Sequence, residues 1–302
     1  MSYDQILLAA CYDLKVHVID LNSGTAYDEF EISNSQANRV VVSGTRFYIA
    51  AYSYLLAFDA NGKSKKPLQA IAAHDSNVTD ICITPGTLFT CGEDKLIKAW
   101  DRRVAQAQQT ITTEDALNSM CLMSNGYSVV VGGESGDVSI WDTRNSSSPF
   151  KMVSRKSPVR SISISPDSQK FVVAHMDGTA IQYSLDNSSN TFAEINKIVS
   201  NNEILLRVAT SPDGKLFAAT GGECLSKVYS TDDCAIKHTF DASSSAAPPR
   251  EWIWDAAFTK DSRYLCTGCS DGICKVWDCE EGTLALTAPQ LDKCVSAIAL
   301  IS

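Results

Sequence analysis

Residues 252–278 show most clearly a pattern of hydrophobic and polar positions that recurs along this chain. Three short apolar segments, Ile253–Phe258, Tyr264–Cys269 and 273–277, are separated by polar turns. The second turn is Ser270-Asp271-Gly272, and the third segment ends in Trp277-Asp278. Short strands separated by Asp- and Gly-containing turns, about ten residues apart, are typical of antiparallel all-β structure. The segment therefore predicts three consecutive antiparallel strands.

The end of the third strand can be followed through seven successive units, because an apolar or aromatic residue there usually precedes Asp or Ser. The seven marker residues are Ile19, Phe58, Trp100, Trp141, Tyr183, Tyr229 and Trp277. Their spacings are 39, 42, 41, 42, 46 and 48 residues, close to the roughly 40–45 residues of one four-stranded WD40 blade. The sequence therefore predicts a single domain over residues 1–302, an all-β, seven-bladed WD40 β-propeller.

The two ends of the chain complement each other. The first marker comes too early for a full blade, and the segment 294–301 (CVSAIALI) is an unattached strand after the seventh unit. We expect this C-terminal strand to become the missing inner strand of the first blade. Closing the ring in this way covers strand edges that would otherwise invite aggregation.

Composition narrows the function classes. The formal net charge of −9 argues against nucleic acid or anionic lipid as the main partner, since both require clusters of Lys and Arg. Eleven scattered cysteines indicate reduced thiols rather than a disulfide framework. Neither a signal peptide nor a membrane span is expected. We expect a cytoplasmic protein, monomeric by itself, which reaches endomembranes only as a peripheral part of a complex.

One set of polar residues has the spacing of a buried hydrogen-bonded chain in WD repeats: His74, Thr90, Asp94 and Trp100. A catalytic role is the less favoured interpretation, because buried polar groups in a blade need to satisfy one another. Neither G-x-x-x-x-G-K-[ST] nor G-x-G-x-x-G occurs in the sequence. The sequence predicts no enzyme activity and no cofactor.

Four cysteines in the seventh unit have a spacing that would suit zinc on paper: Cys266, Cys269, Cys274 and Cys279. Cys266 and Cys269 lie three apart on one predicted strand, so their side chains point to opposite faces. A tetrahedral zinc site needs four ligands that converge. We expect these cysteines to be structural, and no metal site is predicted.

The rim of the central channel is the candidate binding surface. Aligning each inner strand on the predicted core residues Ile253, Ala256 and Phe258 places two residues per blade at the channel mouth. These residues are Gln36 and Asn38, Asn77 and Thr79, Ala116 and Asn118, Pro158 and Arg160, Ile204 and Leu206, Trp252 and Trp254, and Cys294 and Ser296. Large aromatic residues near amides suit a protein–protein hot spot. The alternative is that both Trp side chains pack between blades.

Several of these segments resemble one family over the full length of the chain, the small G-beta-like WD-repeat subunits of TOR kinase complexes. The resemblance is carried by Ser35-Gln36-Ala37-Asn38, Gly92-Glu93-Asp94 with Trp100-Asp101, Gly136 through Asp142, and above all 250–258 (REWIWDAAF). It implies a non-catalytic subunit that binds a TOR-type kinase domain and supports assembly of the complex and TOR signalling. It also implies that Gln36, Asn38, Trp252 and Trp254 contact the kinase. The second, fifth and sixth units depart from the pattern, since their markers lack Trp.

A second function remains open. Trp100-Asp101-Arg102-Arg103 and Trp141-Asp142-Thr143-Arg144 are W-D-x-R boxes in consecutive units. They resemble the boxes of substrate receptors for cullin-type ubiquitin ligases. In the simpler interpretation, Arg103 and Arg144 only pair with neighbouring acidic side chains.

Overall fold

The computed structural model describes residues 5–32, 35–103, 106–145, 148–186, 188–189, 191–199, 204–222, 224–243 and 251–301. Their regular secondary structure is entirely β, in seven four-stranded antiparallel sheets. From the inner to the outer strand, the first sheet contains β28 (Val295–Ile301), β1 (Ile6–Cys11), β2 (Lys15–Asp20) and β3 (Thr25–Glu31), and the second contains β4 (Ala37–Ser43), β5 (Arg46–Ala51), β6 (Tyr54–Asp59) and β7 (Gln69–Ala72). The third sheet contains β8 (Val78–Ile83), β9 (Thr87–Gly92), β10 (Leu96–Asp101) and β11 (Ala107–Thr112). The fourth contains β12 (Leu117–Leu122), β13 (Ser128–Gly133), β14 (Val138–Asp142) and β15 (Lys151–Val153). The other three are β16 (Val159–Ile164), β17 (Lys170–His175), β18 (Thr179–Asp186), β19 (Thr191–Val199); β20 (Leu205–Thr210), β21 (Leu216–Gly221), β22 (Leu225–Ser230), β23 (Ile236–Asp241); and β24 (Ile253–Phe258), β25 (Tyr264–Cys269), β26 (Cys274–Asp278), β27 (Thr283–Thr287).

These sheets are the seven blades of a closed propeller, which confirms the predicted fold class. Strand β28 pairs antiparallel with β1, with Ile6 opposite Ile301 and Ala10 opposite Ala297. The C-terminal strand therefore completes blade one, as predicted. Each inner strand also contacts the inner strands of both neighbouring blades around the ring. No helix in the described part of the chain is long and apolar enough to cross a membrane.

The hydrophobic core lies between adjacent blades. The seven marker residues at the ends of the third strands are all buried. Ile253, Ala256 and Phe258, the predicted core residues of β24, are buried in one cluster between blades six and seven. A blade covered on both faces needs apolar side chains on both, which is why these strands read as nearly continuous hydrophobic segments.

Asp residues close the tight turns between the second and third strands of several blades. The side chains of Asp13, Asp94, Asp177 and Asp271 each accept a hydrogen bond from the backbone amide two residues later, at 2.9–3.3 Å. This confirms the turn-capping role expected for Asp at these positions.

The extra length of the fifth unit is partly in its strands. The polar segments 186–190 and 242–249 predict lengthened inter-strand loops as the source of the 46- and 48-residue spacings. Instead, β18 and β19 are eight and nine residues long and form an extended outer hairpin. Residues 187 and 190 of the first segment, and residues 244–249 of the second, lie outside the described residues.

Candidate partner-binding site at the channel mouth

The starts of the inner strands surround a cavity of about 240 Å³ at the mouth of the channel. Gln36, Asn38 and Trp254, three of the four residues expected to bind a partner, line this cavity. Trp252 does not line it but contacts Trp254 in a tilted arrangement, with ring centroids 5.5 Å apart and ring planes inclined by 36°. The ring of Tyr12 also lies near that of Trp254, with centroids 6.4 Å apart.

Both Trp side chains are only partly buried, and neither belongs to a hydrophobic cluster between blades in the described structure. Ile253, which lies between them in the sequence, takes the core position instead. The Nε1 atom of Trp254 is buried and has no hydrogen-bond partner in the described part of the chain. An indole N–H at a buried position normally finds an acceptor. The pair is therefore an incompletely satisfied aromatic surface at the rim.

The amide residues at the mouth tie neighbouring blades together. Asn38 donates hydrogen bonds from Nδ2 to the side chain of Asn77 (3.0 Å) and to the carbonyl of Val78 (2.8 Å). Asn118 repeats this arrangement, since its Nδ2 donates to the carbonyl of Val159 at 2.9 Å. Gln36 is exposed. Asn38 therefore has a structural role in addition to any contact with a partner.

Below the mouth lies a layer of charged residues that the sequence analysis missed. Nε of Arg39 lies 3.2 Å from Oδ1 of Asp80, and Nη1 of Arg39 lies 3.3 Å from Oδ2 of Asp255. Nε of Arg207 lies 2.9 Å from Oδ1 of Asp255. The two carboxylates also accept hydrogen bonds, both at 2.9 Å, from backbone amides of the next blade, those of Met120 and Ile298. This layer links blades across and around the channel.

The backbone explains why this layer was missed. Each inner strand of blades two to seven has a register irregularity at the mouth, such as the one between Ile253 and Asp255. The predicted mouth positions end at Trp254 and its counterparts in the other blades. The next residue is polar in six consecutive blades: Arg39, Asp80, Ser119, Ser161, Arg207 and Asp255. That recurrence was the available sequence signal.

The charged layer contains two arginines and two aspartates, so its formal positive and negative charges are equal. Burial lowers the pKa of Arg39, but the charges of Asp255 and Asp80 more than offset this, so its pKa is raised. Burial and the neighbouring charge of Arg39 lower the pKa of Arg207 despite its contact with Asp255. Breaking one member of such a network leaves an uncompensated buried charge. The layer is thus a rigid floor for the mouth.

Blade three brings together the four residues expected to form a buried polar chain. Nε1 of Trp100 donates to Oγ1 of Thr90 at 2.9 Å, and Nε2 of His74 lies 2.7 Å from the same oxygen. Nδ1 of His74 lies 2.8 Å from Oδ1 of Asp94. Burial lowers the pKa of His74, so the neutral tautomer fits, with Thr90 donating to Nε2 and Nδ1 donating to Asp94. Each group satisfies its neighbour, which suits a structural role.

The four cysteines of blade seven do not converge. Cys266 and Cys274 are buried in the cluster shared with blade one, whereas Cys269 and Cys279 are buried in the cluster shared with blade six. Within the described residues, only Cys11, Asp13 and His17 bring three potential metal ligands within 4.8 Å of one another. Nε2 of His17 lies 2.8 Å from Oδ2 of Asp13, which already gives both side chains a partner.

The arginines of the two W-D-x-R boxes fold back onto their own aspartates. Nε and Nη2 of Arg103 lie 2.9 and 2.6 Å from the carboxylate of Asp101. Nε and Nη2 of Arg144 lie 3.0 and 2.7 Å from that of Asp142. Both arginine side chains remain exposed, by 87% and 61%.

Comparison with known proteins agrees with the architecture. The family model described as "Nucleolar protein 10-like, N-terminal domain" matches residues 5–230, and "WD domain, G-beta repeat" matches residues 236–278. "Protein LST8 homolog" of Drosophila melanogaster is 26% identical over 262 residues, which cover 83% of this chain and 82% of that protein. "Target of rapamycin complex subunit LST8" of Mus musculus is 25% identical over 262 residues, covering 82% and 80%. "Target of rapamycin complex subunit wat1" of Schizosaccharomyces pombe is 25% identical over 242 residues, covering 78% and 77%. The expected resemblance to WD-repeat subunits of TOR complexes is confirmed.

Proposed function

We propose that this chain, which belongs to the β-propeller family described as the nucleolar protein 10-like N-terminal domain, is a non-catalytic WD-repeat subunit of a TOR-type kinase complex. In this proposal it binds the kinase domain and supports assembly of the complex and TOR signalling. The relatives named as target of rapamycin complex subunits align with about four fifths of this chain, and about four fifths of their own length is matched. The similarity therefore extends over most of the propeller rather than over one blade.

The observation that carries the proposal is the aromatic pair at the channel mouth. The rings of Trp252 and Trp254 contact each other outside the inter-blade clusters, and the buried indole N–H of Trp254 has no acceptor in the described structure. A partner that covers both rings and brings an oxygen to that N–H would bury apolar area and satisfy the donor. Buried Trp side chains are frequent hot spots, each contributing about 2 kcal/mol or more when truncated. The amides of Gln36 and Asn38 line the same cavity and supply polar contacts beside the rings.

The proposed site acts by binding alone. The mouth joins an aromatic edge on blade seven to a polar floor held by ion pairs across the channel. Such a rigid surface limits the ordering cost of association.

The experiment is co-purification of the TOR-type kinase with tagged wild-type protein and with the double variant Trp252→Ala/Trp254→Ala. We expect the variant to lose the kinase and keep the all-β circular dichroism spectrum of the wild type. The matched control is Tyr27→Ala/Leu284→Ala, which removes two exposed apolar side chains from outer strands. Undiminished kinase recovery by a folded Trp variant would refute the site.

The two W-D-x-R boxes favour a second candidate function, that of a substrate receptor of a cullin-type ubiquitin ligase. Arg103 and Arg144 are exposed and held in fixed orientations by their own aspartates. If Arg103→Ala/Arg144→Ala lost a cullin adaptor while the Trp variant retained it, this candidate would replace the first.

We also propose that the protein works in the cytoplasm, and that it is a monomer by itself. All eleven cysteines are free thiols, as suits a reducing compartment. Cell fractionation and size-exclusion chromatography with light scattering test these two points. Recovery in a secreted or luminal fraction, or a dimeric mass, would overturn them.

A further inference from the structure

A second depression, of about 560 Å³, lies at the edge of blade five. Three elements form it: the loop 155–158 that enters the blade, the turn between β17 and β18, and strand β19. Three cationic side chains line it, those of Arg155, Lys156 and Lys197, and Lys156 and Lys197 are exposed. On a chain with a net charge of −9, such a local excess of positive charge needs an explanation.

The acidic groups near the pocket are already engaged. The carboxylate of Asp177 accepts hydrogen bonds from the amide (3.0 Å) and hydroxyl (2.6 Å) of Thr179. Glu194 lies outside the lining and pairs with Arg155. Lys156 and Lys197 form no hydrogen bond or ion pair with another described residue, although the charge of Lys197 acts on the carboxylate of Asp177. Both ammonium groups can therefore donate hydrogen bonds to a ligand.

A fully buried histidine also lines this pocket. His175 is 0% exposed, and its Nδ1 donates to the carbonyl of Ser157 at 2.9 Å. Its Nε2 has no hydrogen-bond partner in the described part of the chain. Buried polar atoms are satisfied in most proteins, so an exception beside a cationic pocket points to a ligand.

The sequence position of this pocket is informative. In blade three, His74 in the entering loop starts the polar chain that ends at Trp100. When the inner strands are aligned on Val78 and Val159, Arg155 takes the position of His74. Opposite those valines, β9 has Gly92 and β17 has His175. Blade five thus has the guanidinium of Arg155 and the imidazole of His175 where blade three has a closed hydrogen-bonded chain.

We propose that the blade-five pocket binds a phosphoryl group. Lys156 and Lys197 supply mobile charge from two sides, Arg155 supplies a fixed guanidinium, and His175 donates from Nε2 once it is protonated. Arg and Lys are the usual partners of phosphate oxygens in proteins. The site lies on blade five and does not depend on the aromatic pair of blade seven. Its test is therefore independent of the test of the proposed kinase contact.

The first test is a titration by isothermal calorimetry with inorganic phosphate, a phosphoserine peptide and the same peptide with unmodified serine. We expect saturable binding of the two phosphate ligands only. Stronger binding of the phosphopeptide would identify a protein-borne phosphate, and equal or stronger binding of inorganic phosphate would identify a small ligand. Absence of saturable phosphate binding would overturn the proposal.

The variant Lys156→Ala/Lys197→Ala removes the two exposed charges and should weaken binding about tenfold or more, since removing one charge-assisted hydrogen bond costs roughly a factor of ten in affinity. The control Lys237→Ala/Lys260→Ala makes the same charge change at exposed positions elsewhere and should leave binding unchanged. Equal weakening by both pairs would mean that only net charge acts, and would overturn the site.

The role of His175 is tested with sulfate, a tetrahedral dianion that does not titrate near neutral pH. The charges of Asp177, Arg155 and Lys197 all act on this imidazole, and a bound anion adds one that favours its protonated form. Sulfate should therefore bind more tightly as the pH falls from about 7.5 to 5.5, by up to about tenfold per unit for one linked proton. His175→Asn keeps a donor for Ser157 and cannot be protonated, so its sulfate affinity should be flat. A flat profile in the wild type would exclude His175 from the site.

Discussion

Blades three and five have the same order of strands and turns, but the residues at equivalent positions form a complete hydrogen-bonded chain only in blade three. In blade three, Trp100, Thr90, His74 and Asp94 form a chain in which every polar group has a partner. In blade five, alignment on the inner strands puts Arg155, Val173 and Tyr183 at the positions of His74, Thr90 and Trp100. Without the central hydroxyl the chain cannot form.

The comparison separates structural polar residues from those available for binding. A closed chain leaves nothing for a ligand, because each donor already has an acceptor. In blade five, Asp177 still caps its turn, but the buried Nε2 of His175 has no partner in the described residues. The position held by His74 in blade three and by Arg155 in blade five thus belongs to a closed hydrogen-bonded chain in one blade and to the proposed phosphoryl site in the other.

The largest expected effect is the loss of the central hydroxyl in blade three. Thr90→Val removes the acceptor for Trp100 and the donor for His74, and it leaves two buried polar groups unpaired. Each such group costs about 1–3 kcal/mol, so we expect a loss of about 2–6 kcal/mol in the free energy of unfolding by urea. Thr267→Val in blade seven is the graded control, since Thr267 accepts only from Trp277 there, at 3.0 Å. It should cost about half as much, and equal losses would show that the link to His74 adds nothing.

The second prediction concerns the loss of stability at low pH. Without an added anion, the buried histidines of both blades should contribute to this loss. Burial lowers the pKa of His74 and of His175 from 6.5. As the pH falls, each histidine therefore takes up a proton more readily in the unfolded chain than in the folded one. The free energy of unfolding is highest above pH 6.5 and declines as the pH falls below that value. Urea unfolding between pH 7.5 and 5.5 measures this slope.

Adding sulfate to the same unfolding experiment should distinguish the contributions of the two blades. Anion binding near His175 favours its protonation and should reduce the acid slope of the wild type. The His175→Asn variant should show no such effect, because it lacks the imidazole whose protonation the bound anion favours. A sulfate effect of equal size in both proteins would contradict the contrast between the blades.

The smallest expected effect compares the turn aspartates. The side chain of Asp94 accepts from His74 and from the amide of Asp75 at 3.1 Å, whereas the side chain of Asp177 accepts only from Thr179 among the described residues. Asp94→Ala should cost about 1–2 kcal/mol and Asp177→Ala less than about 1 kcal/mol. Thermal melts of the two variants measure the difference, and a larger loss for Asp177→Ala would reverse the assignment of roles.

Much of this molecule was predictable because its information is local and repeated. The marker residues from Ile19 to Trp277 gave the period, and the period gave the number of blades. The early first marker and the extra strand at 294–301 gave the closure of the ring. Individual contacts were less predictable. Gln36, Asn38 and Trp254 meet at one cavity, as registration of the inner strands suggested, but Asn38 also holds two blades together.

The sequence by itself determined the ring, because each blade can bury its faces only against copies of the same pattern. Tertiary structure alone decided the charged layer of Arg39, Asp80, Arg207 and Asp255 and the pocket around His175. The charged layer depends on a register irregularity, which strict alternation does not include. The pocket depends on a loop, a turn and an outer strand that are distant in sequence and meet only when blade five folds. Packing also determined that Ile253 enters the core while Trp252 and Trp254 remain at the rim, where a partner can reach them.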